Sequence, residues 1–184
     1  MKSRVINSSG ICGTRKAISK NDEYYTHAYA VKPILKYIKP HSVIWCPFDT
    51  NKSNFVKILM LKGHKVISSH LDDGIDFFKT DIESDYIISN PPYTIKNDVL
   101  TRLFKLKKPF AMLMNAAGLF DSKYRFDLFK NNKFELMYMS KRVEYFTNYD
   151  NPIKSTKKSP PNPSVYFCSR VLPEQIIFEE IEKN

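Results

Sequence analysis

Short apolar runs alternate with helix-like segments in the first half of the chain. Residues 42–46 form one such run and residues 65–70 another, and between them Phe55 to Leu61 has helical spacing and stops at Gly63. An apolar run of about four to eight residues is typical of a buried strand, and glycine commonly ends a helix. Two strands joined through a helix pair in parallel with a right-handed crossover. This unit restricts the chain to α/β folds with a mostly parallel sheet.

The same alternation continues towards the C-terminus. Its last strand-like segments are separated by polar loops, which favours antiparallel pairing there. We therefore expect a Rossmann-like, twisted and mostly parallel sheet with helices on both faces and an antiparallel C-terminal portion. The predicted elements are helices over 29–38, 55–61, 98–106 and 123–130, and strands over 42–46, 65–70, 85–89, 109–114, 134–139, 142–146 and 165–171.

The length of 184 residues suits one domain, since domains most often have about 100–150 residues. Residues 1–22 show little periodicity and are predicted to form a mobile N-terminal arm. The folded domain is predicted over 23–173, with a polar, proline-rich loop over 148–163. Residues 174–184 form an acidic tail, which we expect to be a solvated end.

The chain is basic, with 29 Lys plus Arg against 19 Asp plus Glu and a formal net charge of +10. Such an excess favours a polyanionic partner, because basic side chains neutralise phosphates and release counterions. Nucleic acid is therefore the partner that we expect.

Cysteine and glycine usage narrows the chemistry. The chain has three cysteines at 12, 46 and 168, with neither a CxxC pair nor zinc-type spacing, so we expect free thiols and no metal. It has only five glycines and carries neither a dinucleotide-binding nor a P-loop fingerprint. No signal-peptide or membrane-spanning run occurs, so we expect a cytoplasmic protein without a membrane partner.

The strongest local pattern is the apolar strand over 85–89, which runs directly into Asn90, Pro91, Pro92 and Tyr93. Two consecutive prolines fix φ and remove two backbone donors, so this loop is stiff and presents acceptors. In an open α/β sheet, ligands bind outside the carboxyl ends of the strands. The loop is therefore the predicted catalytic loop, although Asn and Pro also serve ordinary turns.

Such a loop suits an amino group whose lone pair is delocalised into a ring. The Asn90 side-chain oxygen and the Pro91 carbonyl can accept hydrogen bonds from the two N–H groups and orient the nitrogen. Tyr93 can stack on a base that has been extruded from a duplex. This chemistry requires no covalent intermediate.

These residues resemble the amino-methyltransferases that make N6-methyladenine, particularly short phage- and prophage-encoded members. The similarity covers about residues 22–171, and residues 85–93 are similar to the catalytic motif of that family. The resemblance implies a class I methyltransferase fold and S-adenosylmethionine as the cofactor. It also implies DNA rather than RNA as the nucleic-acid partner, and a bacterial host cell's cytoplasm as the location.

The resemblance also implies a set of cofactor-binding residues. Residues 23–26 are similar to the family's cofactor-carboxylate motif, and residues 76–78 occupy the region that surrounds the cofactor adenine. The turn over 46–53 has Cys46 where the family has an acid, and it contains no glycine. The implied cofactor-binding residues are Tyr25, Thr26, Cys46, Phe48, Asp49, Asp72, Asp76 and Phe77.

The chain has no room for a separate target-recognition domain, so loops must hold the nucleic acid. Basic residues would neutralise phosphates, and neighbouring aromatic rings would stack on an unpaired base. Further candidate basic segments are 105–108 and 154–158. The predicted substrate-binding residues are Lys96, Lys141, Arg142, Tyr145 and Phe146.

Two other functions stay open. The glycine-free turn suggests a catalytically weak or inactive methyltransferase fold that binds nucleic acid or protein. Alternatively, the substrate is another amino group, such as adenine in RNA, cytosine N4 or the glutamine of a release factor. A protein partner is also open, as is the choice between a monomer and a homodimer.

Overall fold

A computed structural model describes residues 24–157 and 162–183. The N-terminal arm predicted over 1–22 and Cys12 lie outside the described residues. Five α-helices occur in the described part: α1 Ala28–Val31, α2 Asn54–Leu61, α3 Lys96–Leu106, α4 Lys123–Lys130 and α5 Pro152–Ser155. Ten strands occur there: β1 Tyr25–Thr26, β2 Val43–Pro47, β3 Lys65–Ser69, β4 Tyr86–Ser89, β5 Phe110–Asn115, β6 Glu135–Met139, β7 Tyr145–Phe146, β8 Thr156–Lys157, β9 Ser164–Ser169 and β10 Ile176–Glu179.

Seven strands form the main sheet in the order β10-β6-β9-β5-β4-β2-β3. The pairs β2–β3, β2–β4 and β4–β5 are parallel, and β9 runs antiparallel to both of its neighbours. The predicted α/β class is confirmed, with a mostly parallel sheet and an antiparallel C-terminal portion. The carboxyl ends of β2 and β4 lie at the same edge of the sheet, because these two strands pair in parallel.

Both faces of the sheet are buried, and the sequence alternates between them. Cys46 and Ile88 belong to the core cluster that also contains α1 and α2 residues, whereas Trp45 and Ile87 belong to the cluster on the α3 side. Successive strand residues point to opposite faces, so one continuous apolar run serves two cores. This double burial explains why the central strands lack a polar face.

The first predicted helix, over 29–38, is only partly α-helical. Residues 28–31 form α1, and the chain then continues as a 3₁₀ helix over Lys32–Tyr37. Pro33 lies near the start of the 3₁₀ helix and has no backbone N–H to donate in an α-helix. The apolar side of the segment is still buried, since Ala30, Val31 and Ile34 are fully inaccessible.

The prediction that the acidic residues 174–184 form a solvated end is wrong. Residues 176–179 form β10, which pairs in parallel with β6 at the edge of the main sheet. Ile177 and Ile181 pack against the core cluster beside α1. The Glu179 carboxylate accepts from the Tyr37 hydroxyl at 2.5 Å and lies 2.6 Å from the Lys36 ammonium. The strand contains three consecutive apolar residues, Ile176, Ile177 and Phe178, of which only Ile177 is partly buried.

A second, three-stranded sheet lies in the order β1-β7-β8, with both pairs antiparallel. The strand predicted over 142–146 is therefore shorter and belongs to this small sheet. The loop predicted over 148–163 is not uniformly irregular, because α5 and β8 lie within it. In the register of β1 and β7, Tyr25 is opposite Phe146 and Thr26 is opposite Tyr145.

Among the described residues, no helix has both the length and the apolar character needed to cross a membrane.

Candidate active site

Asn90 lies directly after β4, and two distant residues fix its side chain. Its Nδ2 group donates to the carbonyl oxygen of Tyr24 at 3.1 Å and contacts Thr26 Oγ1 at 3.3 Å. Both partners are acceptors, so the amide nitrogen must point towards them. The Asn90 Oδ1 atom is buried and accepts no hydrogen bond from the described residues. A buried, unpaired acceptor is costly, and it marks a place for an external donor.

Thr26 links Asn90 to the helix that follows the first central strand. The Asn54 Nδ2 group, in the first turn of α2, donates to the Thr26 carbonyl oxygen at 2.7 Å. Thr26 itself is 5% exposed and belongs to β1. Three segments that are remote in sequence, 24–26, 49–54 and 89–93, therefore meet at the carboxyl ends of β2 and β4.

The two prolines after Asn90 lead into a short 3₁₀ turn over Tyr93–Ile95. Pro91 is buried and Pro92 is extended, with φ −57° and ψ 135°. The Tyr93 ring lies nearly parallel to the Tyr24 ring, with 6.3 Å between centroids and 25° between planes. Tyr93 therefore places an aromatic ring in the same loop as Asn90, packed against Tyr24.

The turn over 46–53 differs from its sequence-based interpretation at Cys46. The Cys46 side chain is fully inaccessible and lies in the core cluster beside α2, where burial raises the pKa of its thiol well above the usual value. The prediction that Cys46 contacts a cofactor is therefore corrected: strand alternation directs this side chain into the core.

Asp49 lies at the carboxyl end of β2 and is 8% exposed. Its Oδ1 atom accepts from the Ser53 hydroxyl at 2.5 Å, and its Oδ2 atom lies 2.5 Å from the Ser89 hydroxyl. Burial raises the pKa of the Asp49 carboxyl to about 7, against the opposing effect of these two hydroxyls. The carboxyl group joins the turn after β2 to the residue that precedes Asn90.

Two predicted cofactor residues, Phe48 and Phe77, lie in contact. Their ring centroids are 4.9 Å apart, and Phe77 also packs on Trp45 at 5.3 Å. Phe77 is 3% exposed, so Phe48 is the more accessible of the two rings. Phe48 adopts a positive φ of 72°, a conformation that is rare for a bulky residue and often marks a functional site.

The two predicted acids after β3 are placed differently. Asp76 is 19% exposed in its side chain, and its Oδ1 atom accepts from the backbone N–H of Phe78 at 2.9 Å. Asp72 is exposed, and its carboxylate lies 3.3 Å from the His70 ring at the start of a short 3₁₀ turn. Asp72 thus presents an exposed carboxylate, whereas Asp76 organises its own turn.

A polar cleft of about 380 Å³ opens on the other side of Tyr93. Residues 93–98, Gly118 and Arg125 line it. The Lys96 ammonium group donates to the Ala117 carbonyl at 3.0 Å, and burial, with Arg125 nearby, lowers its pKa. Of the predicted substrate-binding residues, Lys96 lines this cleft beside the Asn90 loop, and Tyr145 interacts with Tyr93 of the same loop through its hydroxyl.

Tyr145 and Phe146 are not available for base stacking in this conformation, which corrects that prediction. Each is 2% exposed, and the Tyr145 hydroxyl is 2.8 Å from the Ser164 hydroxyl. Pairing of β7 with β1 buries both rings in the small sheet. Lys141 and Arg142 are exposed in the turn between β6 and β7.

Sequence reasoning missed several residues that organise the site, because their roles depend on long-range contacts. The Arg102 guanidinium donates to the carbonyls of Phe77 and Thr80, each at 2.7 Å, and holds the loop after β3. Arg125 similarly holds the loop around Gly118 through the Leu119 carbonyl at 2.9 Å. Three further residues organise the site and were missed for the same reason: Tyr24, Asn54 and Ser89.

No protein-family model matches the sequence, and no curated protein matches it either. Similar solved structures include TrmN from Thermus thermophilus, with a TM-score of 0.42 and 13% identity over 77% of this chain and 47% of that protein. A modification subunit assigned to a type I restriction enzyme from Vibrio vulnificus YJ016 has a TM-score of 0.46 and 13% identity, over 90% of this chain and 48% of that protein. A third similar structure is the release-factor-specific protein-(glutamine-N5) methyltransferase from Alicyclobacillus acidocaldarius subsp. acidocaldarius DSM 446. Its TM-score is 0.40 and its identity 13%, over 77% of this chain and 92% of that protein.

The chain spans about half the length of the first two of these proteins. The strand order of the chain itself assigns the fold. A mostly parallel sheet, helices on both faces and one reversed strand, β9, between β5 and β6 agree with the twisted α/β sheet and antiparallel C-terminal portion expected from the sequence.

Proposed function

We propose that this protein is an S-adenosylmethionine-dependent methyltransferase that modifies the N6 amino group of adenine in DNA. The observation that carries the proposal is the buried Asn90 Oδ1 atom, which accepts no hydrogen bond from the described residues. The hydrogen bonds of the Asn90 amide nitrogen to Tyr24 and Thr26 hold this oxygen in one orientation. A fixed acceptor at the carboxyl end of a central strand suits an exocyclic amino group.

In this proposal the loop acts by positioning. Asn90 Oδ1 and the Pro91 carbonyl accept from the two N–H groups of the adenine, which increases electron density on nitrogen and aims its lone pair. Tyr93 stacks on the base, with its ring supported by Tyr24. S-adenosylmethionine, when bound, supplies an electrophilic methyl group to that nitrogen.

The residues at the turn after β2 fit a cofactor in part. In this turn a positive φ, the conformation that glycine favours, occurs at Phe48, and none occurs at residues 50–52. The accessible Phe48 ring and the exposed Asp72 carboxylate are the residues that would contact the cofactor adenosine. Tyr25 and Thr26 would lie at its methionine end, next to Asn90.

The charge of the chain supports a nucleic acid as the substrate, with a formal net charge of +10. Lys96 and the polar cleft beside Tyr93 would receive the phosphates that flank the extruded base. The exposed Lys141 and Arg142 would add phosphate contacts from the turn before β7.

The test is transfer of a radiolabelled methyl group from S-adenosylmethionine to unmethylated DNA, with nucleoside mass spectrometry to identify the product. We expect N6-methyladenine from the native chain. Asn90→Ala should lower the rate by at least about 100-fold, because it removes an amino-group acceptor. Asn131→Ala removes an exposed asparagine at the end of α4 and serves as the matched control.

Methylated cytosine, or label found only in RNA or in a release factor, would contradict the adenine-in-DNA proposal and keep the reaction class. Equal rates for Asn90→Ala and Asn131→Ala would contradict the assigned catalytic loop.

A second candidate is a binding module without catalysis. It is favoured by the turn after β2, where Cys46 is buried in the core and both carboxylate oxygens of Asp49 face serine hydroxyls instead of an open site. Calorimetry separates the two candidates. Binding of S-adenosylmethionine or S-adenosylhomocysteine supports the enzyme, whereas nucleic-acid binding without any cofactor binding supports the module.

A further inference from the structure

A buried row of polar groups connects the turn after β2 with the end of β4. The Ser53 hydroxyl contacts Asp49 Oδ1 at 2.5 Å and also accepts from the Phe55 backbone N–H at 3.1 Å. Asp49 Oδ2 contacts the Ser89 hydroxyl at 2.5 Å, and the same hydroxyl contacts the Pro47 carbonyl oxygen. Ser89 directly precedes Asn90, and Ser53 is the N-cap residue of α2.

The hydrogens of this row can be counted. Ser53 has one hydroxyl hydrogen, which it donates to Asp49 Oδ1, while its oxygen accepts from the Phe55 N–H. Ser89 also has one hydrogen, but it lies between two oxygens, those of Pro47 and Asp49. If Asp49 were ionised, one of these two buried oxygens would receive no hydrogen, at the cost of an unsatisfied polar group.

A proton on Asp49 Oδ2 satisfies the whole row. Ser53 then donates to Asp49, Asp49 donates to Ser89, and Ser89 donates to the Pro47 carbonyl. Each of these hydrogens has one acceptor, and the hydrogen bonds run in one direction from the start of α2 through β4 to the Pro47 carbonyl in β2. Cooperative alignment of this kind strengthens each member in a buried environment.

We propose that Asp49 is a positioning residue that acts as a neutral carboxylic acid and fixes Asn90 through Ser89. Its role goes beyond the proposed amino-group chemistry, because it couples the turn after β2 to the catalytic loop. The effect on methyl transfer rests on the proposed function, whereas the protonation state of Asp49 does not.

The surroundings of Asp49 agree with a neutral acid. The titratable groups that face it are the Cys46 thiol and the Tyr166 hydroxyl, and both are fully inaccessible. Burial raises the pKa of each of them, so both are uncharged at neutral pH. Neither group brings a positive charge that would favour the carboxylate.

The matched variant is Asp49→Asn. Asparagine has the same shape, its Nδ2 group can donate to Ser89, and its Oδ1 atom can accept from Ser53, so it reproduces the neutral acid without a titratable proton. Asp49→Ala removes both hydrogen bonds. Asp81→Asn, on the surface and 63% exposed in its side chain, controls for loss of a carboxylate elsewhere.

Two measurements test the protonation state directly. Infrared spectroscopy at pH 6 should show a carboxylic-acid carbonyl band in the native chain and in Asp81→Asn that is absent from Asp49→Asn. Between about pH 5 and 7, the unfolding equilibrium constant of the native chain should rise about tenfold per pH unit relative to Asp49→Asn, because one proton is bound in the folded state alone. Absence of the band, or equal pH slopes, would overturn the proposal.

The positioning role has its own readout. As the pH rises through about 7, the methyl-transfer rate of the native chain should fall relative to that of Asp49→Asn, which should stay level between pH 6 and 8. A common pH profile for the two proteins would contradict positioning through Asp49. If neither protein transfers methyl groups, the proposed function fails, while the infrared band and the pH slopes still decide the protonation state.

Discussion

The rings of Tyr25 and Tyr149 are in contact, with 4.0 Å between their centroids and 31° between their planes. Tyr25 belongs to β1, beside the residues that hold Asn90, and Tyr149 belongs to the segment after β7. Phe146 supports the pair, with its centroid 5.2 Å from that of Tyr149. The segment over 147–157 is therefore attached to the edge of the candidate site.

Replacing Tyr149 should loosen this segment. Tyr149→Ala removes the stacking partner of Tyr25, worth about 0.5–1.5 kcal/mol for an aromatic pair, and should expose the backbone around Lys154. Limited trypsin digestion should then cleave after Lys154 faster than in the native chain. Tyr149→Phe keeps the ring and should cleave at nearly the native rate; equal cleavage of the alanine and phenylalanine variants would exclude the stacking as the cause.

The same segment should respond to acid through His27. Its Nε2 atom lies 3.1 Å from Thr156 Oγ1, and burial lowers the pKa of the imidazole. A lowered pKa favours the neutral ring in the folded state, so this contribution to stability is present above the unfolded pKa and is lost as the pH falls through the folded pKa. The trypsin digestion rate of the native chain, divided by that of His27→Gln at the same pH, should rise between about pH 7 and pH 5.5, because the ratio cancels the pH dependence of trypsin itself.

Thr26→Val should weaken the support of Asn90 with little change in shape. Valine keeps the buried volume of Thr26 and removes the Oγ1 acceptor, leaving one Asn90 N–H without that partner. We expect a loss of about 1 kcal/mol in the free energy of unfolding and a lower methyl-transfer rate. Thr26→Ser keeps the oxygen and should retain more activity; the reverse order would argue against this contact.

The strand at residues 176–179 can be tested with neighbouring isoleucines. Ile177 packs against the core, whereas Ile176 is 49% exposed. Ile177→Ala should lower the free energy of unfolding by about 1–3 kcal/mol, and Ile176→Ala should change it by less than about 0.5 kcal/mol. Fluorescence of Trp45, the only tryptophan and fully buried, reports the transition. Equal effects of the two variants would mean that this strand does not stabilise the fold.

The central sheet was predictable because its strands are short apolar runs with both faces buried. The apolar runs over 42–46 and 85–89 predict buried strands from their own sequence, without knowledge of the strands that pair with them. The strand at 176–179 was not predictable in the same way. An edge strand buries only alternate residues, and the glutamates in and beside this segment make it resemble a solvated tail. Its pairing with β6 depends on the tertiary fold.

Within the site, the loop from Asn90 to Tyr93 was predictable because proline and asparagine have strong local effects. The burial of Tyr145 and Phe146 was not, because an aromatic residue suits a core and a base-stacking surface equally well. Cys46 was predicted to contact the cofactor because it stands where the family has an acid. Strand alternation instead directs its side chain into the core. The hydrogen bonds of Arg102 and Asn54 join loops remote in sequence, which no local pattern records.

The support of Asn90 has a consequence for folding. Its two hydrogen bonds span 66 and 64 residues of sequence, so both require closure of long loops before they form. The entropy of closing such loops is compensated only when the intervening strands have paired. A partly folded chain therefore has no oriented acceptor at Asn90, and we expect methyl transfer during refolding to recover with the last cooperative phase.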